Sequence, residues 1–250
     1  ELNLKKKVDK NVGDNIQIPT QRIATEIVAN SCASISIKHF SLIQDIIPMF
    51  ENIINSHDSE ILKNITNSIC GIVENFIGHP KKVQELITPT LSKKLLSFLN
   101  PNLTTGANVT PRIIKTLGII IKLSPEHAHL ALKEKIADNL YQVLTKHAST
   151  FDDGDGDTTM LEKDNTSIVH ALIYAPKEIM SSSLSIFSYV LPDVSVDEGC
   201  EFTGPFKLKY TTEAQKKKAE KRLALLNSDP LVLIHFANVT ISLLIDIYSS

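Results

Sequence analysis

The densest set of candidate metal ligands is an acidic run in the second half of the chain. Asp153, Asp155 and Asp157 match positions 1, 3 and 5 of an EF-hand calcium loop, and Asp164 falls at position 12. Such a loop needs Gly at position 6 and a bidentate Glu at position 12, where this chain has Thr158 and Asp164. These departures favour a solvated acidic insertion over a calcium site, and we expect neither a metal nor a cofactor.

Histidines and cysteines form no catalytic pattern along the sequence. His127 and His129 are two residues apart on a predicted helix, so they do not share a face, and no H-E-x-x-H zinc motif occurs. Cys32 and Cys70 lie in apolar helical segments, which is typical of packing residues, whereas Cys200 lies in a polar segment with no evident base. The sequence also has no G-x-S-x-G, Walker A or G-x-G-x-x-G motif. It therefore predicts a binding scaffold rather than a catalytic domain.

The strongest basic cluster runs from Lys216 to Arg222 and could bind phosphate or an acidic protein. A lysine-rich, solvent-exposed helix face is the commoner explanation of such a cluster. The whole chain carries 26 Lys and Arg against 28 Asp and Glu, a net charge of -2. Dedicated nucleic-acid binders usually have a large basic excess, so we expect no nucleic-acid partner.

Composition indicates a folded protein of a reducing compartment. Hydrophobic residues make up 42% of the 250 residues, and only three cysteines occur, which is no disulfide framework. The longest apolar run, residues 230–245, is shorter than the ~20 residues that cross a bilayer and reads as a buried helix. We therefore expect a cytoplasmic or nuclear location, or both, and no membrane partner.

An apolar pattern with a period of 45 residues runs from Ile46 to Leu144. Three sets of four large apolar residues recur at this period, each spaced i, i+4, i+7, i+8 as on one face of an α-helix. Their period lies within the range of HEAT and armadillo repeats. The three sets are Ile46, Phe50, Ile53, Ile54; Leu91, Leu95, Phe98, Leu99; and Ile136, Leu140, Val143, Leu144.

Further predicted helices complete the repeating unit. Residues 20–35 place Ile23, Ile27 and Val28 on one apolar face, and residues 59–77 and 110–123 are similar long helices. Short helices are predicted at 38–44, 81–86 and 125–133. One short and two longer helices per unit is the armadillo pattern, so the predicted fold is all-α.

The predicted architecture is an armadillo/HEAT-like right-handed α-solenoid of about four to five repeats of ~45 residues. Residues 1–17 are expected to form a partial or flexible N-terminal segment, and residues 18–250 the repeat domain. Gly, Pro and Asp residues predict irregular insertions at about 149–166 and 192–212.

Short stretches of the chain resemble the armadillo region of one ligase family, in the same order along the sequence. The stretches are Thr20-Gln21-Arg22-Ile23-Ala24, Ala29-Asn30-Ser31-Cys32, His39-Phe40-Ser41, Asp138-Asn139-Leu140-Tyr141-Gln142-Val143-Leu144, Pro176-Lys177-Glu178, Leu184-Ser185 and Leu244-Ile245-Asp246-Ile247-Tyr248. The family is the HECT-type E3 ubiquitin ligases of the ubiquitin-fusion-degradation pathway, which includes the fungal enzyme and its animal thyroid-receptor-interactor counterpart. The resemblance covers about residues 18–250.

The resemblance implies that the intact protein is a ubiquitin transferase with a C-terminal HECT cysteine that lies outside this chain. It also implies that the armadillo region holds the substrate, which is ubiquitin, a ubiquitin chain or a ubiquitin-fusion protein. The HECT domain, which works with a ubiquitin-conjugating enzyme, then extends the chain and delivers the substrate to the proteasome pathway. On this basis the present chain is itself non-catalytic.

Armadillo proteins line their concave groove with a polar residue, often Asn, late in the last helix of each unit. The positions that match this pattern are Asn30, Gly71, Lys122 and Tyr189, of which only Asn30 is the usual residue. A folded partner such as ubiquitin suits this irregular groove better than an extended peptide held by an Asn ladder. A generic armadillo adaptor that binds extended peptides is the alternative, and an all-α enzyme is a third hypothesis.

Overall fold

The computed structural model of the protein describes residues 10–100, 109–149, 177–190, 200–202, 208–210 and 212–248. Most of these residues are helical, in agreement with the predicted all-α class. The chain divides into two compact units, Glu1–Asn75 and Phe76–Ser250. The predicted acidic insertion at 149–166 lies almost wholly outside the described residues, and so do the aspartates of the candidate calcium loop, Asp153, Asp155, Asp157 and Asp164.

From residue 10 onward, the first unit contains three long helices. They are α1 (Lys10–Ala33), α2 (Phe40–Ile53) and α3 (Ser59–Asn75), with a single 3-10 turn (Ile37–His39) before α2. The prediction of a separate short helix at 38–44 is therefore wrong. Its first two residues belong to the 3-10 turn, and the others form the start of α2. Helix α1 also begins earlier than residue 20 and runs through Pro19.

Helix α1 packs against α3 with the face opposite to the one that its isoleucines suggest. Thr25 and Cys32 are buried, whereas Ile23 and Ile27 are 60% and 61% exposed. A Cβ atom at Gly71 of α3 would lie 3.1 Å from the carbonyl oxygen of Cys32. The absence of a side chain at Gly71 therefore lets the two backbones approach closely.

Polar contacts hold both ends of the α1–α3 pair. Arg22 donates from Nε and Nη2 to the carboxylate of Asp58, the shortest of these bonds being 2.7 Å. At the other end, Nδ2 of Asn75 donates to the carbonyl oxygens of Cys32 and Ala33, both at 3.1 Å. These carbonyls belong to the last turn of α1, where no intrahelical donor remains.

The second unit contains eight helices and one strand pair among the described residues. They are α4 (Pro80–Leu86), α5 (Pro89–Ser97), α6 (Thr110–Leu123), α7 (Pro125–Lys133), α8 (Ile136–Ser149), α9 (Lys177–Val190), β1 (Cys200–Phe202), β2 (Leu208–Tyr210), α10 (Glu213–Asn227) and α11 (Pro230–Tyr248). Helix α6 packs against α9, α7 lies among α5, α6, α8 and α10, and α11 lies against α7 and α8.

Proline and side-chain caps set several helix starts in this unit. Pro80, Pro89 and Pro125 occupy the first turn of α4, α5 and α7, where their missing N–H groups cost nothing. The hydroxyl of Thr88 accepts from the Leu91 N–H and caps α5. The predicted ranges of α6 and α7 agree with the structure, and Pro111 and Pro125 lie in the first turns of these two helices.

The residues of the 45-residue repeat lie on α2, α5 and α8 or in the turn that follows the helix. Ten of the twelve are buried, and only Ile46 and Ile53 are half-buried. The apolar pattern that repeats in the sequence therefore marks the core-facing side of each of these three helices.

The segment predicted as an irregular insertion at 192–212 includes a short antiparallel strand pair. Cys200 pairs with Tyr210 and Phe202 with Leu208. Three-residue strands are too short to show a convincing alternation of apolar and polar side chains in the sequence.

Among the described residues, no single helix combines the length and hydropathy that a membrane span requires. Helices α10 and α11 reach that length and hydropathy only in combination, and a 96° bend separates them.

Gly71 and Gly118 form a matched pair for testing the close helix contact. Gly71→Ala should lower the free energy of unfolding by about 1 kcal/mol or more, because the new Cβ meets the α1 backbone. Gly118→Ala should be neutral or raise it by up to about 1 kcal/mol, because its Cβ would lie 3.6 Å from Cγ1 of Ile186 and Ala favours helix. Urea unfolding followed by circular dichroism measures both. Equal stabilisation by the two changes would contradict the close approach at Gly71.

Asp58 should make the first unit sensitive to acid. Hydrogen bonds from Arg22 and from the Ile61 N–H hold the pKa of Asp58 below its ordinary value of 3.8. A carboxylate with a lowered pKa stabilises the fold fully above its ordinary value, and the contribution is lost as pH falls through the lowered value. Asp58→Asn keeps a capping side chain but removes the charge, so its stability should depend less on pH between about pH 5 and about pH 2.

Urea midpoints over this pH range test the role of Asp58, with the exposed Asp45→Asn as the control. Parallel acid profiles for the wild type and Asp58→Asn would show that the Arg22–Asp58 contact does not contribute.

Candidate functional site

The four groove positions predicted from the sequence are divided between the two units. Asn30 and Gly71 belong to the first unit, and Lys122 and Tyr189 belong to the second. Gly71 is buried against α1, so it acts by packing. Asn30 is exposed, and it lies about 160° around α1 from Cys32, which faces α3.

Asn30 shares its face of α1 with two exposed isoleucines. We call Ile23, Ile27, Asn30 and Ser31 the Ile27 surface; all four are exposed. The Ser31 hydroxyl donates to the Ile27 carbonyl at 2.9 Å, which satisfies it locally. Two large apolar side chains with adjacent polar groups have the composition of a small protein-binding anchor and its rim.

Lys122 and Tyr189 come together in the second unit. Helix α6 carries Lys122 in its last turn, and α9 carries Tyr189 where the two helices pack. The Lys122 ammonium lies 5.0 Å from the centre of the Tyr189 ring, within the range of a cation–π contact. The ring is half-buried and the lysine is exposed, so the contact presents a positive charge at the surface.

The end of α6 that carries Lys122 is closed by donors from three directions. Each of the last four carbonyl groups of a helix lacks an intrahelical partner, and cations near this end interact favourably with the helix dipole. In α6 each of these carbonyls accepts a hydrogen bond. The donors are the Ser124 N–H to Ile120 (3.1 Å), Arg222 Nη2 to Ile121 (3.3 Å), Lys218 Nζ to Lys122 (2.6 Å) and Gln84 Nε2 to Leu123 (2.7 Å).

The basic helix α10 is thus partly a packing element and not only a solvated face. Arg222 is 4% exposed, whereas Lys216 and Lys217 remain exposed. Lys218 and Arg222 are four residues apart and therefore share a helix face. This spacing is the feature of the sequence that could have indicated a packing role for that face.

Glu126 at the start of α7 ties α10 to α7 through an ion pair with Lys221. Burial raises the pKa of Glu126, but hydrogen bonds from Lys221, the backbone and Ser124 outweigh this effect and lower the pKa to about 2. The carboxylate therefore stays charged and keeps its partner at neutral pH. We call Lys122, Tyr189, Lys218 and Lys221 the Lys122 surface.

An open groove of about 370 Å³ lies between α8 and α11. Its sides are Asp138, Tyr141, Gln142, Asn238, Val239 and Ser242. At its edge, Nε2 of His235 lies 2.8 Å from Oδ2 of Asp138 and so links the two helices. Burial, and then the charge of Asp246, raise the pKa of Tyr141, so its hydroxyl stays protonated. The groove offers amides, hydroxyls and one carboxylate to a ligand.

His127 and His129, the pair singled out in the sequence, and the cysteines Cys32 and Cys70 lie in partly or fully buried positions. Burial lowers the pKa of His127 and of His129, so both rings are neutral at pH 7. Cys32 and Cys70 are buried free thiols. Within the described ranges, no three His, Cys, Asp or Glu side chains are grouped so as to hold a metal ion.

Arg222→Met tests the closure of α6. The change keeps an unbranched apolar stem but removes the guanidinium, so it leaves the buried Ile121 carbonyl without this donor, which should cost about 1–3 kcal/mol. Lys217→Met on the same helix is exposed and should have no effect beyond about 0.5 kcal/mol. Urea unfolding of both variants measures the difference, and equal effects would argue against the cap.

The chain is similar to a region of E3 ubiquitin-protein ligase UPL3 from Arabidopsis thaliana, with 25% identity over 104 residues. The matched stretch is 42% of this chain and 6% of that protein. No protein-family profile matches the chain, and no solved structure matches it. The comparison relates this chain to a small part of a much longer ligase.

Proposed function

We propose that this chain is part of the substrate-binding armadillo region of a HECT-type E3 ubiquitin ligase of the ubiquitin-fusion-degradation family. Its role is to hold ubiquitin, a ubiquitin chain or a ubiquitin-fusion substrate while a HECT domain elsewhere in the protein extends the chain. The similarity to a ligase region and the exposed Ile27 surface carry this proposal.

The helix order supports an armadillo array. Helices α4, α5 and α6 are a short, a medium and a longer helix in succession, and α7 and α8 begin the next unit in the same way. Such units bury their apolar faces against their neighbours, and stacking produces a right-handed solenoid with a long binding surface. About four to five repeats of ~45 residues would fit this chain.

The Ile27 surface is the proposed anchor for ubiquitin. Burying Ile23 and Ile27 against a partner would contribute roughly 1.5–3 kcal/mol for each fully covered side chain. Asn30 and Ser31 would form the polar rim and select the orientation of the partner. Gly71 would act indirectly, because it sets the distance between α1 and α3.

The Lys122 surface is the proposed electrostatic contact. Its charges are held in place by Tyr189, by the carbonyl of Lys122 and by Glu126, so little side-chain freedom is lost when a partner binds. The three lysines outnumber Glu126, and an ordered positive excess mainly raises the rate of association with an acidic partner and selects against a basic one.

The intact ligase would receive ubiquitin from a ubiquitin-conjugating enzyme at the HECT cysteine and direct its substrates to the proteasome. This chain contributes position and not chemistry, because holding the acceptor near the transfer site raises its effective concentration. Such a ligase would work in the cytoplasm, the nucleus or both.

The groove between α8 and α11 favours a second candidate, a generic armadillo adaptor for extended peptides. Gln142 and Asn238 place side-chain amides on opposite walls of the groove. Amides can donate to and accept from a peptide backbone at the same time. This reading needs no catalysis in the parent protein.

Titration of isotope-labelled ubiquitin with this chain, followed by NMR, tests the proposed function. We expect shifts clustered on one surface of ubiquitin, and linked diubiquitin should bind more tightly than the monomer. Ile27→Glu should weaken binding at least about tenfold, since it places a charge in the apolar anchor. Lys122→Glu and Asn30→Ala should have smaller effects.

Leu42→Glu is the matched control, because Leu42 is 59% exposed on α2 and lies outside both surfaces. Unchanged ubiquitin shifts at millimolar protein would overturn the proposal and favour the peptide adaptor. Equal losses from Leu42→Glu and Ile27→Glu would exclude the Ile27 surface as the anchor.

A further inference from the structure

Helix α11 is apolar on two opposite faces. One face carries Phe236 and Leu243, which are buried in the second unit. The other face exposes Leu231 (76%), Ile234 (55%), Ile241 (54%) and Ile245 (58%). Contiguous exposed apolar side chains are uncommon on a protein surface unless a partner covers them, so the outer face has the composition of a contact surface.

The exposed residues follow the spacing of a helix–helix seam. Leu231, Ile234, Asn238, Ile241 and Ile245 are separated by three, four, three and four residues, which is the a/d pattern of a heptad. They fall within an arc of about 80° on the helix. We call these five residues the α11 stripe. Such narrow a/d stripes are typical of helices that pair along their length.

The stripe is symmetric about Asn238. Leu231 and Ile245 lie about 10.5 Å from Asn238 along the helix axis in opposite directions, and Ile234 and Ile241 lie about 6 Å and 4.5 Å away. A two-fold axis through Asn238 would therefore place Leu231 against Ile245 of a second copy and Ile234 against Ile241. Self-complementarity of this kind is what a two-fold interface requires.

Asn238 and the absence of charge favour a second copy as the occupant. Two Asn side chains facing each other can each donate and accept a hydrogen bond, so they satisfy each other only in the register that aligns them. No Asp, Glu, Lys or Arg lies between Leu231 and Ile245, so two copies would not repel. Helices that lie on membranes usually flank their apolar face with Lys or Arg, which this stretch does not have.

The orientation follows from the basic helix α10, which precedes α11. A parallel pair would bring the two copies of Lys216, Lys217 and Lys221 to the same end, whereas an antiparallel pair separates them. We propose that the α11 stripe is a self-association surface, in which two copies of the chain pair antiparallel with Asn238 facing Asn238. This proposal does not depend on ubiquitin binding.

Sedimentation over a concentration series tests the proposal with the chain alone. Four apolar residues per copy form a smaller contact than the ~800 Å² per partner of standard stable interfaces, so we expect a weak, reversible dimer. Ile241→Glu should weaken the dimer at least about tenfold. Met49→Glu, at a residue 57% exposed on α2, should leave it unchanged. Circular dichroism of each variant checks that it is folded.

Charge pairs test the two-fold arrangement. Asn238→Asp and Asn238→Lys should each dissociate the dimer, and an equimolar mixture of the two should restore it, because unlike charges then face each other. Likewise, Leu231→Lys mixed with Ile245→Glu should associate more tightly than either variant alone if the helices are antiparallel.

A chain that stays monomeric at millimolar concentration would overturn the proposal, as would a dimer that Ile241→Glu does not weaken. Failure of the Asn238 mixture to associate would overturn the two-fold pairing. A monomer that pellets with phosphatidylcholine vesicles through the stripe would also overturn it and identify a lipid surface as the occupant.

Discussion

The closure of helix carboxyl ends by side chains from other helices is the constraint on which the rest of this structure depends. Every helix leaves its last four carbonyl groups without intrahelical donors, and leaving such a group buried and unbonded costs more than a hydrogen bond gains. In α6 the donors come from α4, α10 and the following turn. In α1 two of them come from Asn75. These contacts fix where the helices stand relative to one another within each unit.

This constraint explains which parts of the fold the sequence could predict. The 45-residue repeat identifies α2, α5 and α8, because burial of one helix face imposes a periodic pattern of apolar residues that is visible in the sequence. The limits of α6 and α7 follow from local proline and serine residues. Both signals are local in the chain, so neither needs knowledge of the tertiary contacts.

The contacts that position the candidate surfaces were beyond such reasoning, because they join residues far apart in sequence. Arg222 and Ile121 are separated by 101 residues, and nothing in the basic cluster of α10 distinguishes the buried arginine from its exposed neighbours except spacing. Helix α1 shows a second limit. Its isoleucines predict an apolar face correctly, but periodicity cannot tell which of two faces has a partner, and here Thr25 and Cys32 are the buried ones.

The polar contacts at the two ends of the α1–α3 pair also fix the position of α1 along the axis of α3. Arg22 grips Asp58 near the start of α3, and Asn75 grips the last turn of α1. One residue of sliding would shift every partner by about 1.5 Å, more than a hydrogen bond tolerates. The two helices therefore cannot slide along each other without breaking both the Arg22–Asp58 and the Asn75–Cys32 hydrogen bonds. A force applied to the outer face of α1 would therefore move α1 and α3 together as one rigid body.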